Sequence, residues 1–383
     1  MMARRREVIP LECNDAATAK AGAFSSATAK AGAFSLGWNS RLSEEFKRYE
    51  GDGLLPARVT AGQRESCTVA CAQGELLAEV SGRFRRDAAG KSDYPVVGDW
   101  VVVSPRPADG RATIQAVLPR ASAFVRQGPD GSEQVVAANI DTAVIVMGLD
   151  RDFNLRRMER YLTLAWGSGV QPVVILNKAD LCAELPERLA ETESAAVGVP
   201  VLAMSAGEGT GIDALLPHLR PGATAALLGS SGVGKSTLIN RLLGADRMDT
   251  GAVRADDQRG RHTTTHRELV LLPSGAILID NPGMREVGLW GDEADLAGAF
   301  GDIEELSRSC RFSDCRHGSE PGCAVRAALQ QGTLDAGRYA SWRKLQRELA
   351  FLAQREDVRA QAAQRQMLKA RSKLQKSFRK DRR

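Results

Sequence analysis

At 383 residues the chain exceeds what one hydrophobic core usually serves and calls for two or three domains. Its 43% hydrophobic and 26% charged content is that of a soluble globular protein, and no apolar run approaches the ~18 residues that cross a bilayer. The net charge of +5 is mild for the whole chain but piles up at the C-terminus, so a nucleic-acid or other anionic partner is worth testing.

Met1 to Arg6 is basic, yet no apolar h-region follows before Glu12, Asn14 and Asp15; the expectation is no signal peptide and a cytoplasmic location. Seven cysteines in a chain of this length argue against a disulfide framework.

Residues 1–54 read as a flexible extension rich in Ala, Gly and Ser. Within it, Ala17 to Ser25 and Ala27 to Ser35 both spell ATAKAGAFS. A ten-residue period is too short for a solenoid unit, and an amphipathic docking helix is the alternative. From 55 to 127 the texture changes to short β-like runs (Thr68 to Ala72, Leu76 to Val80, Val96 to Val103, Thr113 to Leu118) separated by turn pairs such as Gln73-Gly74 and Asp109-Gly110. Several short strands in that length suggest a small barrel, OB-like or SH3-like.

From 128 to 290 apolar strand-type runs alternate with helical stretches: Thr142 to Met147, Pro172 to Leu176, Val199 to Met204, Ala225 to Leu228 and Ala276 to Ile279. Continuous apolar runs separated by helices indicate a parallel sheet covered on both faces, hence an α/β domain. Residues 291–350 read as helical around a Cys/His knot, and 351–383 as a basic helical tail.

Gly229 to Ser236 reads GSSGVGKS and fits G-x-x-x-x-G-K-[ST], with an apolar strand before it and a helix-forming stretch after it. The loop Gly229, Ser230, Ser231, Gly232, Val233, Gly234 would wrap a phosphate with inward N–H groups at a helix N-terminus, helped by Thr237. Lys235 would reach the β- and γ-phosphates, and Ser236 would bind Mg²⁺. Asn177-Lys178-Ala179-Asp180 follows the PVVIL strand. The Asp180 carboxylate can accept both N1–H and N2–H₂ of guanine, which adenine does not offer. Asn177 can meet the other edge of the base, the Lys178 stem its face, and the Ser205-Ala206 pair can supply a backbone N–H to the guanine oxygen.

Asp280 to Gly283 fits D-x-x-G: Asp280 would hold Mg²⁺ through water, and the Gly283 N–H would sense the γ-phosphate. Upstream, Gly260 to Thr265 (GRHTTT) is a candidate switch loop; one threonine, Thr264 by first choice, would complete the Mg²⁺ shell. Met284 stands where many GTPases carry a water-orienting glutamine; either His262 or Arg261 substitutes, or a partner supplies the group, or hydrolysis is intrinsically slow. Cys310, Cys315, His317 and Cys323 give C-x₄-C-x-H-x₅-C, a ligand set for one closed tetrahedral zinc; free buried cysteines are the alternative. Arg355 to Arg383 holds eleven Lys/Arg against three Asp/Glu, either a solvated basic helix or an RNA phosphate contact.

The motif order (NKAD, SA, phosphate loop, threonine loop, D-x-P-G) is a circular permutation of the usual GTPase order. With YPVVGDWV from Tyr94, DFNLRRMERYL from Asp152 and CRFSDCRHGSEPGC from Cys310, the chain closely resembles the ribosome small-subunit-dependent GTPase A family (RsgA, YjeQ or EngC) over about 55 to 350. The resemblance implies an N-terminal OB barrel, a permuted P-loop GTPase domain and a C-terminal zinc domain. It implies GTP/GDP and Mg²⁺ as ligands and a role in late maturation of the small ribosomal subunit, with hydrolysis stimulated by that subunit and contact with its rRNA. A monomer with no membrane association is expected. The competing readings are a GTPase acting on another RNA or assembly, and an RNA-binding scaffold with a structural nucleotide.

Overall fold

The computed structural model describes residues 36–51, 53–62, 66–127, 133–245, 267–280, 295–351 and 354. The duplicated segment before Leu36, the GRHTTT loop with His262 and Thr264, Gly283, Met284 and the basic tail lie outside the described residues.

Five strands close a barrel: β1 (Leu55–Gly62), β2 (Cys67–Cys71), β3 (Gly74–Val80), β4 (Trp100–Arg106) and β5 (Arg111–Val117). β1 pairs with both β2 and β4, and a parallel β3–β5 pairing completes the circuit, as an OB-like barrel requires. Alternate residues fill the interior, among them Ala57, Val59, Val69, Val101, Val103, Ala112 and Ile114. Two strand expectations are corrected. β1 carries Pro56 and ends on Gly62, a composition that hides it from propensity reading. The run from Val96 becomes a strand only at Trp100, because Gly98 takes φ 91° and the Asp99 carboxylate accepts the Val96 N–H at 2.8 Å to close a turn.

The expected flexible arm is also corrected from residue 36 onward. Helix Ser40–Phe46 is capped by the Asn39 side chain, which accepts from the Leu42 N–H at 3.1 Å. Leu36, Leu42 and Phe46 are buried, and Trp38 packs edge-on against Trp100 with ring centroids 4.9 Å apart.

β6 (Ala123–Gln127), which falls within the expected barrel range, pairs instead with β7 (Glu133–Ala138) in a separate two-stranded sheet. Beyond it lies the α/β sheet, in the order β10 (Val201–Ala203), β9 (Gln171–Asn177), β8 (Thr142–Gly148), β11 (Thr224–Leu228), β13 (Ile277–Asp280), β12 (Arg267–Leu271). All neighbours are parallel except the β12–β13 pair. Every residue of β8 and β11 is buried, as a sheet covered on both faces demands.

The barrel and this sheet share a seam where β1 meets β12. Beside it the buried Arg58 guanidinium donates to the carbonyls of Leu36, Gly98 and Asn139 and, at 2.7 Å, to Thr224 Oγ1. Burial lowers Arg58 to about 10, so it stays charged at neutral pH.

The C-terminal region packs helices Asp295–Ala299, Gly301–Arg308, Ala324–Gln331 and 336–351. Arg338, whose side chain is 6% exposed, locks it to the sheet domain. It donates to Asp302 at 2.7 and 2.8 Å, to Glu159 at 3.3 Å, and to the carbonyls of Ala195 and Ala299.

Candidate nucleotide site and metal centre

Parallel strands all point their carboxyl ends at one edge of the sheet, and ligand crevices form there. The phosphate loop leaves β11 at that edge, Asp280 ends β13, Asn177 ends β9, and the Asp150 turn follows β8. Glycine is required at two of these positions. Gly229 has φ 143° and a Cβ there would lie 2.3 Å from the Val146 carbonyl oxygen. Gly234 has φ 95°, and a Cβ would strike Asn177 Nδ2 at 2.2 Å. The Gly229–Ser236 loop therefore lies directly against Asn177.

Asn177 makes that contact productive. Its side chain is almost wholly buried; Nδ2 donates to the Val233 carbonyl at 2.7 Å, and Oδ1 accepts the Ala206 N–H at 2.9 Å. Both ends of its amide and the Ala206 N–H, which the sequence offered to a guanine base, are engaged within the protein. Asn177 joins three loops rather than reaching outward. Lys178, at φ 66°, turns the chain and pairs with Asp150 at 2.6 Å, so its stem is tied at its tip. Burial works to raise Asp150, but the bonds from Lys178 and the Asp152 amide outweigh it and hold the carboxyl below its ordinary range. Asp180 sits on the short turn Ala179–Leu181 and is exposed; among the described residues its carboxylate has no ionic or hydrogen-bond partner. Ser205 is buried, its hydroxyl accepting from the Glu208 N–H.

Within the phosphate loop, Gly232 also has positive φ, Val233 is buried, and Ser236 and Thr237 are half-buried on the first turn of helix Lys235–Leu243. Ser231 is exposed and Ser230 half-buried. Lys235 donates to the Gly229 carbonyl at 2.8 Å and the Ser230 carbonyl at 2.5 Å, folded over the cradle that would take phosphate. Asp280 is buried at the end of β13.

Three contributors escaped the sequence reading. Arg157 donates to Ser230 Oγ at 2.5 Å and pairs with Asp152 at 2.9 Å, bracing the phosphate loop from helix Leu155–Gly167. Asp150 anchors Lys178, and Arg241 donates to the carbonyls of Ala206 and Gly207. The basic cluster in DFNLRRMERYL was the visible signal for Arg157; nothing in the sequence marks Asp150 or Arg241.

The four residues of the knot converge. One ligand atom from each of Cys310, Cys315, His317 and Cys323 lies within 4.8 Å of all the others. Cys310 Sγ and Cys323 Sγ are 3.9 Å apart, and each lies 3.6 or 3.5 Å from His317 Nδ1. A tetrahedron with Zn–S of about 2.3 Å and Zn–N of about 2.0 Å has edges of about 3.5 to 3.8 Å, so the set fits zinc. His317 Nε2 lies 3.2 Å from Ser307 Oγ, whose proton is given to the Ile303 carbonyl at 2.7 Å. Ser307 can therefore accept Nε2–H, which leaves Nδ1 as the ligand. Burial, then the nearby Arg343 guanidinium, keeps His317 below the ordinary imidazole range and so neutral, as metal binding needs. Four protein ligands would fill a tetrahedral zinc shell and leave no open position.

Comparison with known proteins agrees with this geometry. The family model described as RsgA GTPase matches residues 117–290. A model described as ABC transporter also matches, over 213–383; the phosphate loop lies in both ranges, whereas Asn177 to Asp180 lies only in the first. A small ribosomal subunit biogenesis GTPase RsgA of Opitutus terrae is 51% identical over 84% of this chain and 91% of its own. That of Syntrophotalea carbinolica is 44% identical over 90% and 97%. Among solved structures, YjeQ from Thermotoga maritima superposes with a TM-score of 0.59 at 26% identity, covering 78% of this chain and 99% of that one. The circularly permuted GTPase YloQ shares the fold, with a TM-score of 0.58 at 22% identity over 79% and 97%.

Proposed function

The chain belongs to the RsgA family of small ribosomal subunit biogenesis GTPases, and from that premise we propose how its residues bind and hydrolyse GTP. The observation that carries the reading is the Asn177 side chain, which joins the phosphate loop to the Ser205–Ala206 loop and makes one site of segments 56 and 29 residues away from it. Asp180 reads the guanine N1–H and N2–H₂. On nucleotide binding Lys235 exchanges the Gly229 and Ser230 carbonyls for the β- and γ-phosphates, so that its ammonium meets full negative charge instead of neutral dipoles. Ser236 and Thr264 would hold Mg²⁺ directly and Asp280 through water, and the ion would supply positive charge to offset that of the phosphates. Gly283 reports the γ-phosphate to the segment that leads on to the zinc region. Cys310, Cys315, His317 and Cys323 hold one zinc as a structural staple.

Met284 cannot orient the attacking water, so the free protein turns over slowly and the small subunit with its rRNA completes the site, with His262 the chain's own candidate for positioning water. The protein acts as a cytoplasmic monomer with the barrel, zinc region and basic tail as its RNA-facing parts. Supplying a missing group in trans is worth about 10³ to 10⁵ in rate for GTPases that borrow an arginine. Single-turnover GTP hydrolysis, with and without purified small subunits and at several salt concentrations, tests this. A large stimulation that weakens with salt is expected; a rate unmoved by subunits ends the proposal. A stimulated rate that survives His262→Ala ends only the role of His262.

A further inference from the structure

The loop that follows Ser205 contains three consecutive amides, and their commitments differ. The Ala206 N–H is given to Asn177 Oδ1 at 2.9 Å, and the Glu208 N–H to Ser205 Oγ at 3.2 Å. The Gly207 N–H has no partner among the described residues. On the other side of the same loop, Arg241 of helix Lys235–Leu243 donates from Nε to the Ala206 carbonyl at 3.1 Å and from Nη2 to the Gly207 carbonyl. Its guanidinium also lies under Gly209, where a Cβ would be 3.7 Å from Cζ.

A trans peptide sets its carbonyl and its N–H on opposite sides. Turning the Ala206 carbonyl toward Arg241 therefore turns the Gly207 N–H away from that helix. The loop stands beside Asn177 and, through the Ala179 N–H given to the Met204 carbonyl at 3.1 Å, beside the turn bearing Asp180. We propose that Arg241 is a positioning residue for base recognition: by holding the Ala206 and Gly207 carbonyls it presents the Gly207 amide, rather than that of Ala206, to the oxygen of a 6-oxopurine. The inference rests on the base-recognition reading given above and adds to it a donor and the side chain that aims it.

This division of labour has a distinct signature. Asp180 meets the 2-amino edge, which guanine has and hypoxanthine lacks, whereas the Gly207 amide meets the 6-oxo group that both share. Arg241→Ala should weaken GDP and IDP by the same factor, about five- to tenfold for charge-assisted bonds at a partly exposed site. Affinity for inorganic pyrophosphate, which probes the phosphate loop alone, should stay within about twofold, because phosphate contacts are untouched. KM for GTP should rise with kcat at saturation preserved, since the contact is equal in ground and transition states. Arg241→Lys, with one point charge in place of a fork, should recover part of the loss.

The experiment is a set of binding titrations of GDP, IDP, XDP and pyrophosphate on full-length wild type, Arg241→Ala, Arg241→Lys and Asp180→Asn. Unchanged GDP affinity in Arg241→Ala overturns the proposal. So does a parallel loss of pyrophosphate binding, which would place Arg241 with the phosphate loop, or a loss for GDP that spares IDP. Failure of Asp180→Asn to improve XDP relative to GDP would instead sink the underlying base-recognition reading, so the two failures are told apart.

Discussion

In the nucleotide region one side chain, Asn177, bonds backbone groups 29 and 56 residues away in the chain, whereas in the knot four ligand atoms from one short segment, Cys310 to Cys323, converge on a common point. The first region rests on a parallel sheet whose strands β8, β9 and β11 are buried, so its loops are fixed from below and cross-braced by Asn177, Arg157 and Arg241. The second has few apolar side chains of its own; between the ligands lie Arg311 to Asp314, Arg316 and Gly318 to Gly322. Organisation by packing survives loss of the ligand, and organisation by a metal does not.

The largest expected effect sharpens that contrast. Elemental analysis should find one zinc per chain, and Cys315→Ser should lose it and melt the C-terminal helices well below wild type. Zinc binding by small Cys/His modules is worth roughly 10 to 16 kcal/mol, of which Arg338 and the helix packing would retain a part. GDP should still protect the sheet domain in the variant. A melting curve unchanged by Cys315→Ser would break the distinction.

Next comes the bolt between the two regions. Arg338→Ala would leave the buried Glu159 with Arg156, 2.8 Å away, and deprive the half-buried Asp302 of its partner, at a cost below the roughly 3 to 5 kcal/mol of an unpaired buried charge. Denaturant titration followed separately by nucleotide fluorescence and by zinc release reads this. If both signals still move together at the wild-type midpoint, the regions are not joined through Arg338. Lys235→Ala comes third: without its ammonium over the phosphates, turnover should fall about 10² to 10³-fold, as for loss of a preorganised donor, with the fold intact by circular dichroism. Wild-type turnover in that variant would remove Lys235 from the chemistry.

How far these features could be read from sequence follows from how local they are. The phosphate loop, NKAD and the Cys/His spacing are short patterns whose chemistry is set by neighbours in the chain; the structure puts Gly229 and Asn177 at the carboxyl edge of the sheet and draws the four Cys/His side chains together. Asn177 was legible as a site residue but not as a brace, because its partners Val233 and Ala206 come near only once β9 and β11 lie in one sheet. Arg241 and Asp150 were invisible for the same reason. β1 was missed because a barrel strand needs only to alternate and close, and Pro56 with Gly62 spoils its propensity. The packed helix Ser40–Phe46 was lost among Ala- and Gly-rich neighbours, although Trp38, Leu42 and Phe46 were there to anchor it.

A change of base preference is a smaller effect. Asp180→Asn should shift relative affinity from guanine toward xanthine nucleotides by roughly tenfold or more, since xanthine offers a carbonyl where guanine offers its amine. Competition between GDP and XDP on one sample measures the ratio directly. A variant that keeps GDP tightly and ignores XDP would detach Asp180 from base reading.

The smallest effect concerns Asp150, which braces the nucleotide region through a partly exposed ion pair. Its side chain is 36% exposed and that of Lys178 27%, so the pair is screened by water and worth under about 1 kcal/mol. Its carboxyl is held below the ordinary range despite the opposing effect of burial, by Lys178 and the Asp152 amide. A carboxyl depressed in the folded state contributes stability that is complete above its unfolded value near 3.9 and is lost as pH falls through the lower folded value. From pH 7 to about 5 the contribution is therefore constant, and below about 4 it fades. Salt should weaken it at any pH where it exists, because 1 M salt shortens the screening length to about 3 Å. Asp150→Asn should thus lower the melting temperature slightly at pH 7 in dilute buffer, and the difference from wild type should close both at high salt and on acidification. Asn177 and Arg241 still hold the base loops in that variant, so GDP affinity should drop no more than a few-fold. A loss as large as that of Asp180→Asn would mean that the Lys178 turn, rather than the buried amide bridge, carries the geometry of the base site.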